Sequence, residues 1–237
     1  MRACLGLAAL LLCSTPVPVA AQTPEQLDQL EPGAGEWQME YSGTIDKHGH
    51  GEHVIEAMVG LSARLAAGAE IEAEVENPGL GFETFGPKIL YRITSDEAPI
   101  AVGVQLQLGL DGDAKVAETE VRLIAETESK TWWAQANVML RHSREEKSKA
   151  TRLAYAWSLQ RTIFKSAWFG IEGSGQSARL GSDAAGAQGH GHFAGPSLTL
   201  KWNSSPQSEL EMGFAYLHRL SGEVVRSTGR IFVQFSF

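Results

Sequence analysis

The sequence predicts an all-β chain, folded as a single closed antiparallel up-and-down barrel that crosses a membrane. Three observations support this prediction: short segments in which apolar and polar residues alternate, an export signal at the N-terminus, and no long apolar run after that signal. A helix needs about 20 apolar residues to cross a bilayer. A chain without such a run can be embedded only as a closed barrel, the other structure that satisfies its backbone in lipid.

Residues 1–21 are predicted to be a secretory signal peptide that is cleaved before Gln22. They combine a short basic start, an apolar core over residues 5–12 and small residues at 19–21. Lipid attachment at Cys13 is the weaker alternative, because a large leucine precedes that cysteine where a small residue is expected. The mature chain is therefore expected to begin at Gln22 and to be exported.

Both cysteines, Cys4 and Cys13, lie inside this signal peptide. Disulfides, thiolate metal sites and a cysteine nucleophile are therefore excluded from the mature chain. The one charged residue of the signal is Arg2, and its removal takes the formal net charge from −8 to −9. So acidic a chain is a poor partner for nucleic acid or for an anionic surface.

Residues 22–35 are predicted to be a flexible polar lead on the periplasmic side, too short to form a domain or a plug, and residues 36–237 to form the barrel. The predicted strands are 36–45, 54–63, 69–77, 82–94, 99–109, 116–127, 132–142, 151–161, 167–177, 193–202, 208–219 and 225–237. An even number of strands of about ten residues suits tilted crossings of the hydrocarbon layer. Because the outside links 78–81 and 220–224 are brief, ten strands remain an alternative.

The last strand resembles a known class of protein. One of its faces carries four apolar residues, Ile231, Val233, Phe235 and Phe237. This ending resembles the closing strand of bacterial outer-membrane β-barrels, in which a C-terminal Phe after alternating apolar residues is read by the assembly machinery. The resemblance implies the outer membrane of a Gram-negative cell, with the lipid bilayer and the assembly machinery as partners and Phe235 and Phe237 as the assembly signal.

The other predicted strands agree with this orientation. Their faces on the side of Phe237 are apolar, and their opposite faces are charged or small. Aromatic residues near strand ends resemble the girdles of membrane barrels: Trp37, Tyr41, Trp132, Trp133, Phe164, Trp168 and Trp202. A soluble β-sandwich also alternates, so an exported soluble binding module remains an alternative.

A family-level resemblance is confined to residues 79–113. The stretches GLGFETFGPKILYR (79–92) and APIAVGV (98–104) resemble a strand pair of barrels associated with phenol-degradation gene clusters and, more loosely, of copper-resistance outer-membrane proteins. The sequence departs from those families at Phe82, where they have Asp, and at 110–113, where they have Pro-Thr-Gly. The resemblance implies uptake of small organic solutes and fixes no site residue.

In the predicted lumen, acids dominate the first three strands and recur at Glu118, Glu120 and Glu126, and bases lie elsewhere. The candidate selectivity residues are Glu72, Glu74, Arg92, Glu120, Arg122, Arg152 and Arg230. Carboxylates and guanidinium groups that face each other across a narrow pore form either a structural lattice or a field that selects solutes. Twelve strands lie between eight-stranded barrels, which side chains fill, and sixteen-stranded ones, which hold water channels. The first hypothesis is therefore a narrow, porin-like channel for transport of small solutes.

Histidines form a second group of candidates. His48, His50 and His53 crowd one predicted outside loop, and His190 and His192 lie in another. Neutral imidazoles beside a carboxylate can bind Zn²⁺ or Cu²⁺, so a metal-capturing surface barrel is the second hypothesis. Simply solvated His-Gly loops are the alternative. No other cofactor is predicted.

The chain is not predicted to be an enzyme. His142 and Ser143 invite comparison with twelve-stranded outer-membrane phospholipases, but the residues around them do not resemble that family's motif. Adjacent residues of a strand also point to opposite faces, so this pair cannot share one site. No catalytic residue is therefore assigned.

Overall fold

The computed structural model describes residues 24–30, 32–76, 79–145, 148–177, 180, 191–205, 208–222 and 225–237. The strands are β1 Trp37–Asp46, β2 Gly51–Ser62, β3 Leu65–Glu76, β4 Gly79–Arg92, β5 Ala101–Leu110, β6 Val116–Glu128, β7 Trp132–Glu145, β8 Ser148–Phe164, β9 Ala167–Gln176, β10 Gly191–Ser205, β11 Ser208–Gly222 and β12 Ser227–Ser236. Each strand pairs with its sequence neighbours, and β12 pairs with β1, which closes the barrel. The predicted fold class is confirmed with twelve strands, and the ten-strand alternative is wrong.

Both ends of the barrel sequence meet at one rim, which we call the terminal end, with the loop end opposite. There the Trp37 amide donates to the Phe237 carbonyl at 2.8 Å, and the Phe237 amide donates back at 2.9 Å. Hairpins at the loop end extend further than predicted: β2 begins at Gly51, and β7 and β8 pair out to Glu145 and Ser148. Backbone pairing continues beyond the apolar band, so alternation of side chains does not mark where it stops.

The outer surface of the barrel is apolar and the interior is polar. Ile55 and Leu106 are 55% and 53% exposed, whereas Glu56 and Gln105, one residue away, are buried. Apolar residues outside and polar residues inside reverse the arrangement of a soluble protein and suit a barrel surrounded by lipid. Within the described ranges, no helix is long and apolar enough to span a bilayer.

Aromatic side chains surround the terminal end. Those of the predicted girdle that are exposed on the outer face are Trp37, Trp132, Phe164 and Trp202. Trp133 and Trp168 were predicted to join them but are buried and face the lumen, where Lys201 Nζ lies 4.7 Å and 5.6 Å from their ring centroids. Trp133 follows Trp132 in β7, and successive side chains of a strand point to opposite faces.

An extended stretch that precedes β1, residues 24–30, lies inside the barrel, and we call it the N-terminal segment. Its best-buried charged and leucine side chains are Glu25, Leu27, Asp28 and Leu30, each 6–9% exposed. The following turn is fixed at the terminal end, where the Gly35 amide donates to the Gly60 carbonyl at 2.8 Å. The sequence predicts a flexible periplasmic lead here, whereas the structure places residues 24–30 inside the lumen, where polar groups of the wall replace the water that such a segment would otherwise require.

Phe232 turns inward from β12 and covers Gly213, its register partner on β11. A Cβ at position 213 would collide with the Phe232 ring. We expect Gly213→Ala to lower the free energy of unfolding by about 1–3 kcal/mol, because the ring must leave its rotamer or the strands must separate. Guanidinium chloride unfolding of the detergent-folded barrel measures this loss.

The matched control for that substitution is Gly112→Ala, at a turn where no atom lies within 4 Å of an added Cβ. It should leave the unfolding midpoint nearly unchanged. Equal losses in the two variants would contradict the close approach of Phe232 to Gly213.

Candidate functional site

A buried cation lies at the centre of the lumen wall. Lys88, on β4, is 3% exposed, and its Nζ contacts a Glu56 carboxylate, lies 2.7 Å from Glu70 and lies 3.8 Å from Asp28 of the N-terminal segment. Glu56 on β2 and Glu70 on β3 are register partners. Three carboxylates therefore surround one ammonium group, two from the wall and one from the segment.

Two arginines continue this network onto β6 and β7. Arg122 Nη1 lies 2.5 Å from Asp28 Oδ1, and its Nε donates to Glu120 at 2.8 Å. Arg141 Nη2 donates to the other oxygen of Glu120 at 2.8 Å and to Glu25 at 3.1 Å. Glu120 and Arg122, both predicted lumen residues, thus belong to a network that also binds both carboxylates of the N-terminal segment.

Amide side chains of the wall bind the same segment. Gln105 Nε2 donates to Asp28 Oδ2 at 2.8 Å. The Asp28 backbone carbonyl accepts hydrogen bonds from Gln135 Nε2 at 2.8 Å and from Asn137 Nδ2 at 3.2 Å. Because buried polar groups must be hydrogen-bonded, these donors offset the cost of removing Asp28 from water.

Two leucines of the segment fill apolar gaps between these polar groups. Leu27 packs against Met139, Ala154 and Ala156. Leu30 packs nearer the terminal end, against Met58, Ala66, Leu90, Ala101 and Ile124. The leucines of the segment therefore face the β2 to β8 side of the lumen. Gln26 donates to Glu40 of β1 at 3.0 Å and Gln29 donates to Glu211 of β11 at 3.3 Å, so the segment also contacts the opposite side.

A second charged pair lies on the other side of the lumen. Arg230 on β12, a predicted lumen residue, donates from Nη2 to Glu172 of β9 at 3.0 Å, and its Nε lies 2.9 Å from the other oxygen. Beside this pair is a cavity of about 10 Å³, lined by Leu27, Trp133 and Phe232 among others. Such a volume holds about one water molecule, so the N-terminal segment leaves little free space here.

Of the remaining predicted lumen residues, Glu72 interacts electrostatically with Glu70 and Arg141 of the first network. Glu72 accepts a hydrogen bond at 3.0 Å from a threonine hydroxyl on β4. Arg92 pairs with Asp96 at 3.0 Å near the terminal end, and Glu74 and Arg152 are half-buried on β3 and β8. Charged groups consequently occur along the lumen from one rim to the other.

Sequence reasoning missed the N-terminal segment as part of the site. The signal that could have found it is the pair Leu27 and Leu30, with Glu25 and Asp28 beside them. A lead that stays in water gains nothing from regularly spaced leucines, because apolar side chains stabilise only where they are buried. The lumen amides Gln105, Gln135 and Asn137 follow no sequence pattern that distinguishes them from other inward-facing polar residues.

Among the described residues, the histidines predicted to bind metal are not gathered into one group of three or more. His53 lies on the outer wall, where its Nδ1 is 2.8 Å from the Tyr41 hydroxyl, and His192 forms the same contact with Tyr155 at 2.8 Å. Each imidazole therefore makes a hydrogen bond to a tyrosine on another strand. His190 lies outside the described residues.

His48 and His50 lie in the turn between β1 and β2, with ring centroids 6.1 Å apart. His50 Nδ1 is 3.7 Å from Asp46 Oδ2. In the described part of the chain, no group of three or more His, Cys, Asp or Glu side chains is placed to hold a metal ion. These contacts therefore give the metal hypothesis no support.

The barrel is similar to solved outer-membrane channels. The NanC porin is 12% identical, with a TM-score of 0.57 over 84% of this chain and 98% of that chain. The COG4313 outer membrane channel from Pseudomonas putida F1 is 12% identical, with a TM-score of 0.55 over 90% and 98%. The KdgM porin in complex with disordered oligogalacturonate is 8% identical, with a TM-score of 0.51 over 84% and 98%. At these identities the likeness shows the fold, which is that of bacterial outer-membrane β-barrels.

No protein-family model matches the chain, and no curated protein sequence matches it. The class-level resemblance of the last strand is confirmed by the fold. A family-level match to copper-resistance barrels, expected more loosely from residues 79–113, is not found.

Proposed function

We propose that the chain is an outer-membrane channel for small polar solutes, and that the N-terminal segment acts as its plug. The observation that most supports this proposal is that the wall encloses an extended stretch of polypeptide. A lumen wide enough for an extended peptide has room for a small solute when the peptide leaves. Seven charged residues of the lumen are proposed to set selectivity: Glu72, Glu74, Arg92, Glu120, Arg122, Arg152 and Arg230.

The charge network favours a removable plug over a permanent core. Without the N-terminal segment, Lys88 keeps its contacts with Glu56 and Glu70, and Arg122 keeps its bond to Glu120. The buried bases of the wall therefore remain paired when the segment is absent. If these bases lost their partners when the N-terminal segment left, the unpaired buried charges would make its removal far more costly in free energy.

The similar structures support transport rather than catalysis, since two are porins and one is a channel. At the end of the barrel, Phe235 and Phe237 are exposed on the outer face with ring centroids 5.2 Å apart. We propose that these two rings are the signal read by the outer-membrane assembly machinery. Small-molecule solutes and the lipid bilayer are the other proposed partners.

Removal of residues 24–30 is expected to open the channel. The protein without its predicted signal peptide is folded in detergent and added to a planar bilayer, with and without these residues. We expect rare or small current steps from the full chain and steady, larger steps from the shortened one, because the segment occupies the lumen and packs against strands from β2 to β8.

A second variant replaces residues 24–30 with seven Gly and Ser residues, which preserves chain length and removes the contacts. It should conduct like the shortened chain. A shortened protein that is shown to be folded and inserted, yet passes no current, would mean that the wall closes on itself and that the chain is not a channel.

A further inference from the structure

The N-terminal segment occupies a site shaped for its backbone and its side chains. Asp28 is held at its carboxylate by Arg122 and Gln105, and at its backbone carbonyl by Gln135 and Asn137. Four side chains from β5, β6 and β7 therefore bind a single residue, and Lys88 Nζ on β4 lies 3.8 Å from its carboxylate. Lumen residues that merely filled space would not need to converge in this way.

The barrel wall also carries small residues where the leucines of the N-terminal segment pack against it. Ala154 and Ala156 leave the space that Leu27 occupies. At Gly103 on β5 an added Cβ would collide with Leu30 Cδ2. Small residues at the contact points and long polar residues between them make a surface complementary to this peptide, with apolar sockets three residues apart.

The contacts of the site select both the chain direction and the charge of the bound peptide. Arg141 donates to Glu25 at 3.1 Å, and Glu126 accepts a hydrogen bond from the Leu30 amide at 3.3 Å, at the other end of the segment. Charge-assisted hydrogen bonds fix orientation more strongly than neutral ones. Between the acids and the leucines, Gln26 donates to Glu40 at 3.0 Å and Gln29 donates to Glu211 at 3.3 Å. The recognised pattern over positions 25–30 is therefore acid, glutamine, leucine, acid, glutamine, leucine.

We infer that the lumen contains a binding site for short, extended, acidic peptides, and that the N-terminal segment is its resident occupant. A peptide of this chemistry entering from outside competes with the segment. The inference rests on the proposed channel in one respect: it names acidic peptides as the solute class of that same lumen. Binding itself does not require an open path.

The test uses a synthetic peptide with the sequence of residues 24–30, Pro-Glu-Gln-Leu-Asp-Gln-Leu, carrying a fluorophore at its N-terminus. Fluorescence anisotropy measures its binding to the detergent-folded barrel that lacks residues 24–30. We expect saturable binding to the shortened barrel and at least about tenfold weaker binding to the full chain, whose site is filled. The matched control peptide carries Asp28→Asn and should bind at least about tenfold more weakly, since the contacts with Arg122 and Lys88 lose the charge of the carboxylate.

Equal binding of the Asp and Asn peptides, of a scrambled peptide, or of the peptide to full and shortened chains would overturn the inference. If the shortened chain does not refold, the same titration is made on the full chain with Asp28→Lys. Current through the shortened barrel without peptide binding would rule out the peptide site and still support the proposed channel. Peptide binding without any current would support the peptide site and rule out the proposed channel.

Discussion

Replacement of Lys88 by methionine is expected to lower the free energy of unfolding by about 3–5 kcal/mol. Lys88 is the ammonium group between Glu56, Glu70 and Asp28, and all four side chains are buried. Removing it leaves three carboxylates close together in a medium that solvates them poorly. Guanidinium chloride unfolding in detergent, followed by tryptophan fluorescence, measures the loss.

Two further variants make this result specific. Lys115→Met breaks an exposed pair with Asp113 at 2.8 Å and should change stability by no more than about 0.5 kcal/mol, because exposed pairs contribute little. Lys88→Met combined with Glu56→Gln and Glu70→Gln should recover part of the loss. A Lys88→Met barrel as stable as the unaltered protein would show that the three carboxylates are not charged neighbours of this lysine.

Asp28→Lys is expected to make the lumen conduct without shortening the chain. The new ammonium group would lie against Arg122 and Lys88, the two bases that now bind the Asp28 carboxylate. Like charges at these distances repel, and the amide of Gln105 would face a donor instead of an acceptor. The N-terminal segment should therefore leave its site, and single-channel recordings should show current steps similar to those of the chain without residues 24–30.

The matched control is Glu97→Lys, which makes the same change of charge at an exposed position between β4 and β5. It should leave the current of the full chain as it is. If Asp28→Lys also leaves the current unchanged in an inserted barrel, the charge contacts of the segment do not keep the lumen closed.

The strands could be predicted well from the sequence because one face of each strand meets lipid and the other meets the polar lumen. Lipid outside and polar groups inside force a change of residue type at every step, as between Ile55 and Glu56, so strand and face follow from alternation alone. Where this contrast ends, prediction fails: β7 and β8 continue to pair as far as Glu145 and Ser148, beyond the region in which lipid selects side chains.

The candidate site was predicted only in part, for a related reason. Alternation places Glu120, Arg122 and Arg230 on the inward face, but it says nothing about their partners across the lumen. The N-terminal segment has no alternation of its own to be recognised, since it binds through the contacts of an extended peptide with side chains from several strands. Its polar residues predict a solvated lead unless the lumen itself supplies the hydrogen-bond donors, as Gln105 and Gln135 do.

The turn that anchors the N-terminal segment at the terminal end has a kinetic consequence. Because the Gly35 amide is bonded to Gly60 and the strand begins at Trp37, the segment stays tethered to the barrel after it leaves its site. Its return is a unimolecular step, equivalent to an effective concentration in the millimolar range for a short linker. A free peptide with the same intrinsic affinity must reach about that concentration to occupy the lumen half of the time, so the barrel would respond to abundant solutes and ignore scarce ones.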